Sequence, residues 1–338
     1  MFNNKKQVIT LVVTIGLALF LSYYQLDYYI YQPGDTTPLS SVVEMEDSFE
    51  GEGELHLVTV RGGQATPLYY LWAQIRPHYD IVDLEQVRPH GISQEEYMEA
   101  QLQHMESSQE AATVVAFEAA GGDITIDFKG SFVAMVVEDM PADGHLEIGD
   151  EIIGINGQTV SSSEEIVDET SSMSVGDEIE VIFIRDGEEL TTSFELDAFP
   201  DDPERPGMGV SLVTDRDVHV TPEVEYESGQ IGGPSAGLMF ALEVYNRLTM
   251  DDMTKGRTIV GSGEIDYEGN IYRIGGVDKK VVSADRQGAD IFFAAHENGR
   301  EGSNYDEAVE KAEEIDTNVE IVPVDTFQDA LDYLNNLE

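Results

Sequence analysis

The stretch Gly232-Gly233-Pro234-Ser235-Ala236-Gly237-Leu238-Met239-Phe240-Ala241, read together with Gly275-Gly276-Val277-Asp278-Lys279-Lys280 downstream, decides how this chain is understood. A glycine-proline turn delivers Ser235 to the start of an apolar helix, where the first backbone N–H groups have no intrahelical partner. That is the setting an acyl-transfer nucleophile needs. Lys280 falls near the start of a second predicted helix, Val277 to Gln287, whose positive N-terminal end disfavours an ammonium group. A neutral amine there can take the serine proton. The plain alternative is that Ser235 caps a helix, since serine is among the commonest N-cap residues. The lysines weigh against it: beyond the first few residues the chain has only Lys129, Lys255, Lys279, Lys280 and Lys311, and an adjacent pair follows a Gly-Gly turn. Lys279 is the other candidate base, with a solvated surface charge as its alternative reading.

Two blocks carry a resemblance: Gly232 to Ala241, and Gly261-Ser262-Gly263-Glu264-Ile265 through Gly269, Ile274-Gly275-Gly276 and Lys280. Together they resemble the proteolytic domain of the Lon peptidase family. The resemblance implies Ser235 as nucleophile, Lys280 as general base and Ser262 as a hydroxyl that orients the lysine. By itself Ser262 reads equally well as an ordinary strand-end serine. The implied chemistry is peptide hydrolysis through an acyl-enzyme, with the tetrahedral oxyanion held by backbone N–H groups around Gly233 and Ala236. Typical members couple this domain to an ATPase, but no Gly-x-x-x-x-Gly-Lys-Ser/Thr loop and no Rossmann glycine fingerprint occurs here. The expectation is therefore an enzyme that needs neither ATP nor any other cofactor. The interval from Ser235 to Lys280 is slightly longer than in the motor-coupled members, and extra length in the Leu248 to Lys255 loop would absorb it. The histidines (His56, His78, His90, His104, His145, His219, His296) show no metal-ligand spacing, so no metal is expected. His219, in the alternating stretch Asp217 to Thr221, reads as a strand residue, with a supporting catalytic role as the alternative.

Between Asp123 and Pro200 the pattern turns to short strands. Phe132 to Val137 is one; Gly149 to Val160 is another with a tight Asn156-Gly157 turn; Ile179 to Arg185 and Glu189 to Leu196 flank Asp186-Gly187, a strong hairpin signal. The Gly-Asp-x-Ile-x-x-Ile-Asn-Gly run resembles a bacterial-type PDZ domain. Such domains add an extended peptide to a sheet edge and cradle its terminal carboxylate in backbone N–H groups. The resemblance implies a cradle at Gly130, Ser131, Phe132 and Val133 and a groove helix over Ser163 to Ser171. On pattern alone these are a turn and an amphipathic surface helix.

The expected fold class is α+β: a Lon-type protease domain of α/β layers with an inserted, mainly-β PDZ domain and an N-terminal transmembrane helix. Val8 to Tyr24 is apolar apart from Thr10, Thr14 and Ser22, and with Leu26 it reaches the roughly 17–20 residues that cross a bilayer. Lys5 and Lys6 precede it, which places the tail in the cytoplasm and the rest outside. No small-x-small cleavage site follows, and Tyr23, Tyr24, Tyr28, Tyr29 and Tyr31 fit an interfacial belt, so an uncleaved signal anchor in the cell membrane is expected, with a cleaved signal peptide as the alternative. The predicted layout is a tail and anchor over 1–24, a polar tether over 25–53, the first part of the protease domain over 54–122, the PDZ domain over 123–200 and the rest of the protease domain over 201–338. The opening strand is Leu55 to Val60. Ser93 with Glu96 forms a capping box for a helix that runs through Ala111 to Ala120 and stops at Gly121-Gly122. Protease strands resume at Met208 to Thr214.

A formal charge of −49 over 338 residues repels nucleic acid and anionic lipid head groups, so nucleic-acid binding is excluded. Such a carboxylate excess is best tolerated where salt screens it, which points to a salt-adapted source. With 41% hydrophobic residues the chain folds rather than remaining disordered, and with no cysteine it has no disulfide framework. Expected partners are peptides or unfolded proteins, the membrane, and in one arrangement further copies of the chain. A competing reading from another class is a membrane-tethered PDZ adaptor with an inactive protease scaffold. The presence of both Ser235 and Lys280 favours the enzyme.

Overall fold

The computed structural model describes residues 5–46, 51–88, 93–137, 140–199, 202–250 and 252–337. The expected tail before Lys5, residues 47–50 of the expected tether and the 200/201 boundary lie outside the described residues. The chain divides into two compact units, Met1–Asp123 with Val220–Glu338, and Ile124–His219.

The first unit opens with α1 (Lys5–Tyr23), which has no buried residue and is long and apolar enough to cross a membrane. β1 (Tyr28–Pro38), β2 (Val43–Met45), β3 (Glu54–Gln64), α2 (Pro67–Ala73), β4 (Asp80–Asp83) and α3 (Leu84–Val87) follow. The polar tether expected over 25–53 is corrected here. β1 pairs antiparallel with β3 from Tyr29↔Gln64 to Pro38↔His56, and Tyr29, Ile30, Leu39, Val42 and Val43 are buried. A β-bulge between Pro33 and Thr36 breaks the period-two alternation that would have marked the strand. Tyr29 thus belongs to the domain interior, not to an interfacial belt. α4 (Gln94–Ala120) is a single helix of 27 residues with Ser93 and Glu96 in a reciprocal capping box and Gly121 at φ 64° ending it. Its buried residues include the run from Ala111 to Phe117.

The second unit holds β5 (Asp123–Val136), β6 (Glu151–Ile155), β7 (Gln158–Thr159), α5 (Ser163–Ser171), β8 (Glu178–Arg185), β9 (Glu188–Glu195), β10 (Asp197–Phe199), β11 (Asp202–Gly207) and β12 (Val210–Thr221). Its sheet runs β12-β5-β6-β8-β9, with β7 on β6. Asn156-Gly157 and Asp186-Gly187 all have positive φ, as two-residue turns between antiparallel strands require. Ile152, Ile155, Ile166, Ile179, Val181, Phe183 and Leu196 form the core. Asp150 is buried and held by Arg185 through Nε to Oδ1 and Nη2 to Oδ2, both 2.7 Å. Met208 to Thr214, expected as a protease strand, instead lies in this unit, with β12 beside β5. The unit extends past the expected end at 200 to His219. Alternation of exposure along β12 marks a strand but does not name its neighbour.

The first unit then resumes with β13 (Val224–Tyr226), α6 (Gly237–Thr249), β14 (Thr258–Ser262), β15 (Glu264–Ile265), β16 (Ile271–Tyr272), α7 (Val277–Gln287), β17 (Ile291–Ala295), α8 (Asn304–Ile315), β18 (Glu320–Val324) and α9 (Phe327–Asn335). β13 pairs with β2, and the main sheet runs β18-β17-β14-β3-β1-β4. The first four of these are parallel, joined through helices as parallel strands must be, and β1 and β4 are antiparallel additions. Alternate residues serve opposite faces. Val58, Val260, Phe292 and Ala294 pack with Val277 and Val281 of α7 and Ala308 of α8. Phe293, between Phe292 and Ala294, meets Tyr333 of α9 edge-on, with ring centroids 5.7 Å apart. The result is a mixed α/β layer with helices on both faces.

Candidate active site

β14 and the N-terminal ends of α6 and α7 bring the chemistry together. α6 starts at Gly237 with Ala236 as its N-cap, and no side chain makes a capping bond. Ser235 is therefore not the cap, and its Oγ is free for another task. Lys280 Nζ lies 2.6 Å from Ser235 Oγ and 2.7 Å from Ser262 Oγ. Lys280 is 2% exposed and Ser262 0%.

The hydroxyl of Ser262 donates to the Ser235 carbonyl oxygen at 2.8 Å. A hydroxyl has one proton, so toward Lys280 its oxygen can only accept. The lysine N–H is thereby turned to Ser262, which leaves the lone pair of a neutral amine for the Ser235 O–H. Burial pulls the Lys280 pKa down to about 7, with no carboxylate among the described residues to oppose it. Half of such amines are neutral near physiological pH, against almost none at the ordinary lysine value of about 10.4.

Lys279 is a different group. Burial opposes its charge, but hydrogen bonds and Coulomb attraction from Asp278 and Asp80 outweigh this, and its pKa lies above the usual lysine range. It pairs with Asp80 and, at 2.8 Å, with Asp278. It stays an ammonium and has no free lone pair for the serine.

Gly233 sits at φ 92°, a conformation open to glycine, and its N–H donates to the Gln101 carbonyl oxygen at 2.7 Å. That corrects the expected oxyanion role of Gly233, because its only backbone donor is occupied. Among the described residues, the N–H groups of Ser235 and Ala236 have no protein acceptor and stand beside the Ser235 side chain. Ser108 Oγ donates to the Pro234 carbonyl at 2.9 Å, so α4 fixes the nucleophile turn at two points through Gln101 and Ser108. Neither residue was legible from the sequence, since each acts from more than a hundred positions away.

Ser235 and Lys280 line a cleft of about 930 Å³ together with Tyr29, Tyr31, Val60, Tyr97 and Met98. β14 pairs with β3 only as far as Gly261↔Leu57. Beyond this, the β14-facing edge of β3 over Val58 to Gly62 has no strand partner among the described residues, and these residues line the cleft.

In the other unit, the expected cradle Gly130 to Val133 lies inside β5. Ser131 and Phe132 pair with Ile152 and Glu151 of β6. On the other side the Lys129–Asp217 ion pair and the bond from Val137 N–H to Gly209 oxygen bracket it against β12. An interior strand has no free edge for an added peptide, so this assignment is corrected. β12 and β9 are the terminal strands of this sheet among the described residues, and β12 is the one beside α5, where Thr214 Oγ1 accepts from the Ser163 N–H, 2.8 Å away. His219 is exposed on β12, 3.8 Å from Asp127, in the second unit rather than in the unit that holds the dyad.

Removing the Ser262 hydroxyl should free Lys280 to rotate. Ser262→Ala is expected to lower kcat roughly tenfold or more with little change in KM, the cost of about one buried hydrogen bond. Ser262→Thr should keep most activity; equal loss in both variants would count against the orienting role.

Residues 204–335 match the Lon protease (S16) C-terminal proteolytic domain, and residues 99–196 match the PDZ domain. The PDZ match begins within α4, whereas the compact unit begins at Ile124. The Lon protease of Aster yellows witches'-broom phytoplasma is 30% identical over 124 residues, which are 36% of this chain and 14% of that protein. Lon protease 2 of Bacillus subtilis is 32% identical over 120 residues, 35% of this chain and 19% of the relative. The chain thus spans less than a fifth of the length of either. The PDZ domain of an SdrC-like protein from Listeria monocytogenes is 30% identical, with 26% of this chain and 93% of that one covered and a TM-score of 0.24. Since Ser235, Ser262 and Lys280 all fall within the matched 204–335 stretch, the chain is one that joins a proteolytic domain of the Lon serine peptidase family to a PDZ domain.

Proposed function

We propose that this chain is a membrane-anchored serine endopeptidase that works without ATP on extended peptides or unfolded proteins outside the cytoplasmic membrane. The observation that carries the reading is a fully buried lysine, able to be neutral near pH 7, at 2.6 Å from a serine hydroxyl in an open cleft. In the reaction the Ser235 O–H donates to the Lys280 lone pair as Oγ attacks the peptide carbonyl carbon. The oxyanion that forms is met by the N–H groups of Ser235 and Ala236. The Lys280 ammonium then gives its proton to the leaving amine, and the C–N bond breaks. Water, deprotonated by the Lys280 amine, attacks the ester, the acyl C–O bond to Ser235 breaks, and Oγ recovers its proton from the Lys280 ammonium.

The open edge of β3 supports an extended substrate, since a strand laid against it gains main-chain hydrogen bonds without regard to sequence. The anchor rests on α1, with Lys5 at its start and acidic residues after it. This sequence holds no phosphate loop, so the proposed substrates are chains that are already extended or unfolded. The PDZ unit takes a peptide along β12 beside α5, either delivering it or regulating the cleft.

The test is cleavage of a permanently unfolded reporter by the full chain in detergent, with no nucleotide present. Peptide fragments identified by mass spectrometry are expected, with no gain on adding ATP and no cleavage of the same reporter when folded. An inert but correctly folded chain would return the weight to the adaptor reading.

A further inference from the structure

α2 has two apolar faces. Tyr69, Tyr70 and Ala73 turn inward to a small core with Ile30, Ala65 and Ile81. The other face carries Leu68, Leu71 and Trp72, continued by Ile75 in the next turn, at i, i+3, i+4 and i+7. They are 56%, 59%, 49% and 74% exposed. Single exposed apolar residues are ordinary, but three on one helical face with a fourth just beyond the helix end make a contact surface.

Several observations name what it contacts. α1 leaves the domain beside α2 and touches it. The link after α1 is fixed to the start of α2 by the Leu26 N–H, which donates to the Ala65 carbonyl at 2.8 Å. Tyr23 and Tyr24 are exposed at the end of α1, and the Tyr28 ring lies 5.0 Å from that of Tyr70 on α2. Arg76 stands over the Trp72 ring at 5.0 Å, as a cation does at the water-facing side of an interfacial indole.

We propose that the Leu68-Leu71-Trp72-Ile75 face of α2 lies in the membrane interface as an in-plane anchor beside α1. The inference rests on reading α1 as a membrane span. Where α1 emerges from the bilayer, a neighbouring apolar face with aromatic residues is held at the same depth, roughly 5–10 Å into the headgroup and acyl boundary. With −49 overall and Arg76 the cation beside the patch, attraction to anionic head groups contributes little. The contact is apolar, and neutral lipid suffices. α2 leads within a few residues to Asp80, whose carboxylate holds Lys279 at the cleft, so docking sets the height of the cleft above the bilayer.

Trp72 is the chain's only tryptophan, which makes the test specific. The full chain is reconstituted in phosphatidylcholine vesicles, with and without phosphatidylcholine brominated near the headgroup end of its acyl chains. Trp72 emission is expected to be blue-shifted, to lose most of its intensity in the brominated vesicles, to resist aqueous iodide and to ignore high salt. The Leu68→Ser, Leu71→Ser, Ile75→Ser triple variant retains Trp72 and α1 and should lose the bromolipid quenching with unchanged circular dichroism. Iodide-quenched emission that is blind to bromolipid, in chains that float with the vesicles, would overturn the proposal. So would shielding from both quenchers that disappears when the vesicles are diluted with excess lipid, since that assigns the face to a second copy of the chain. Chains that do not float at all would sink the reading of α1 as a span. The readout requires no cleavage, so an inactive enzyme leaves it intact.

Discussion

Ser235→Ala and Lys280→Ala should each reduce peptide cleavage by roughly a thousandfold or more, and the double variant should be no worse than either single one, because the two residues act as one unit. In the wild type, kcat/KM should rise with pH through about 7. The sign follows from the base: below the Lys280 pKa the amine is an ammonium, has no lone pair and cannot accept from Ser235. Lys280→Arg should not rescue, since a guanidinium stays charged at any workable pH. Lys279→Ala distinguishes the neighbours: Lys279 is held by Asp80 and Asp278, so its loss should leave the dyad's rising pH limb in place. Retained activity in Lys280→Ala, or a limb that moves only with Lys279, would transfer the base to the other lysine.

The same burial that lowers the Lys280 pKa weakens the fold, and Lys280→Met should be more stable than the wild type at neutral pH. The amine falls from 10.5 in the unfolded chain to about 7 in the folded one. Between those values the unfolded chain binds the extra proton, so wild-type stability rises with pH across that window and lacks the full amount at pH 7 and below. At about 1.4 kcal/mol per pH unit the cost is up to about 5 kcal/mol. Methionine fills a similar volume without it but leaves the oxygens of Ser235 and Ser262 without a donor, so a net gain of about 2–3 kcal/mol is expected. Urea unfolding of the proteolytic unit at pH 7 and pH 10 measures it. The advantage should shrink at the higher pH; a variant that is less stable at pH 7 would show that Lys280 is not desolvated.

What could be read in the sequence was local. The Gly-Pro turn before α6, the helix over Val277–Gln287, the helix over Ser163–Ser171 and the turns at Asn156-Gly157 and Asp186-Gly187 each depend on a few consecutive residues, and the structure has them at those positions. What failed was non-local. The bulge at Pro33/Thr36 hid β1 in a polar stretch, and β12 was legible as a strand but not as the neighbour of β5. The availability of a backbone group is settled by whatever covers it. Gly233 lost its N–H to Gln101 and Gly130 to Val133 lost their edge to β12, and neither loss has a signature in the segment that suffers it.

Among the described residues no carboxylate acts on Lys280, and this constrains how the chain can vary. It carries 67 acidic residues against 18 basic ones. Every surface position that gains an acid adds to a field favouring protonation, and one amine must escape it. The pocket around Lys280 is thus a reserved volume in which the substitution most abundant elsewhere in the chain is forbidden. A carboxylate in place of the Ser262 hydroxyl, which lies 2.7 Å from Lys280 Nζ, would take the ammonium as its partner and silence the proposed enzyme. This one small volume is closed to the acids that crowd the rest of the chain, and the protein has settled it with an uncharged serine.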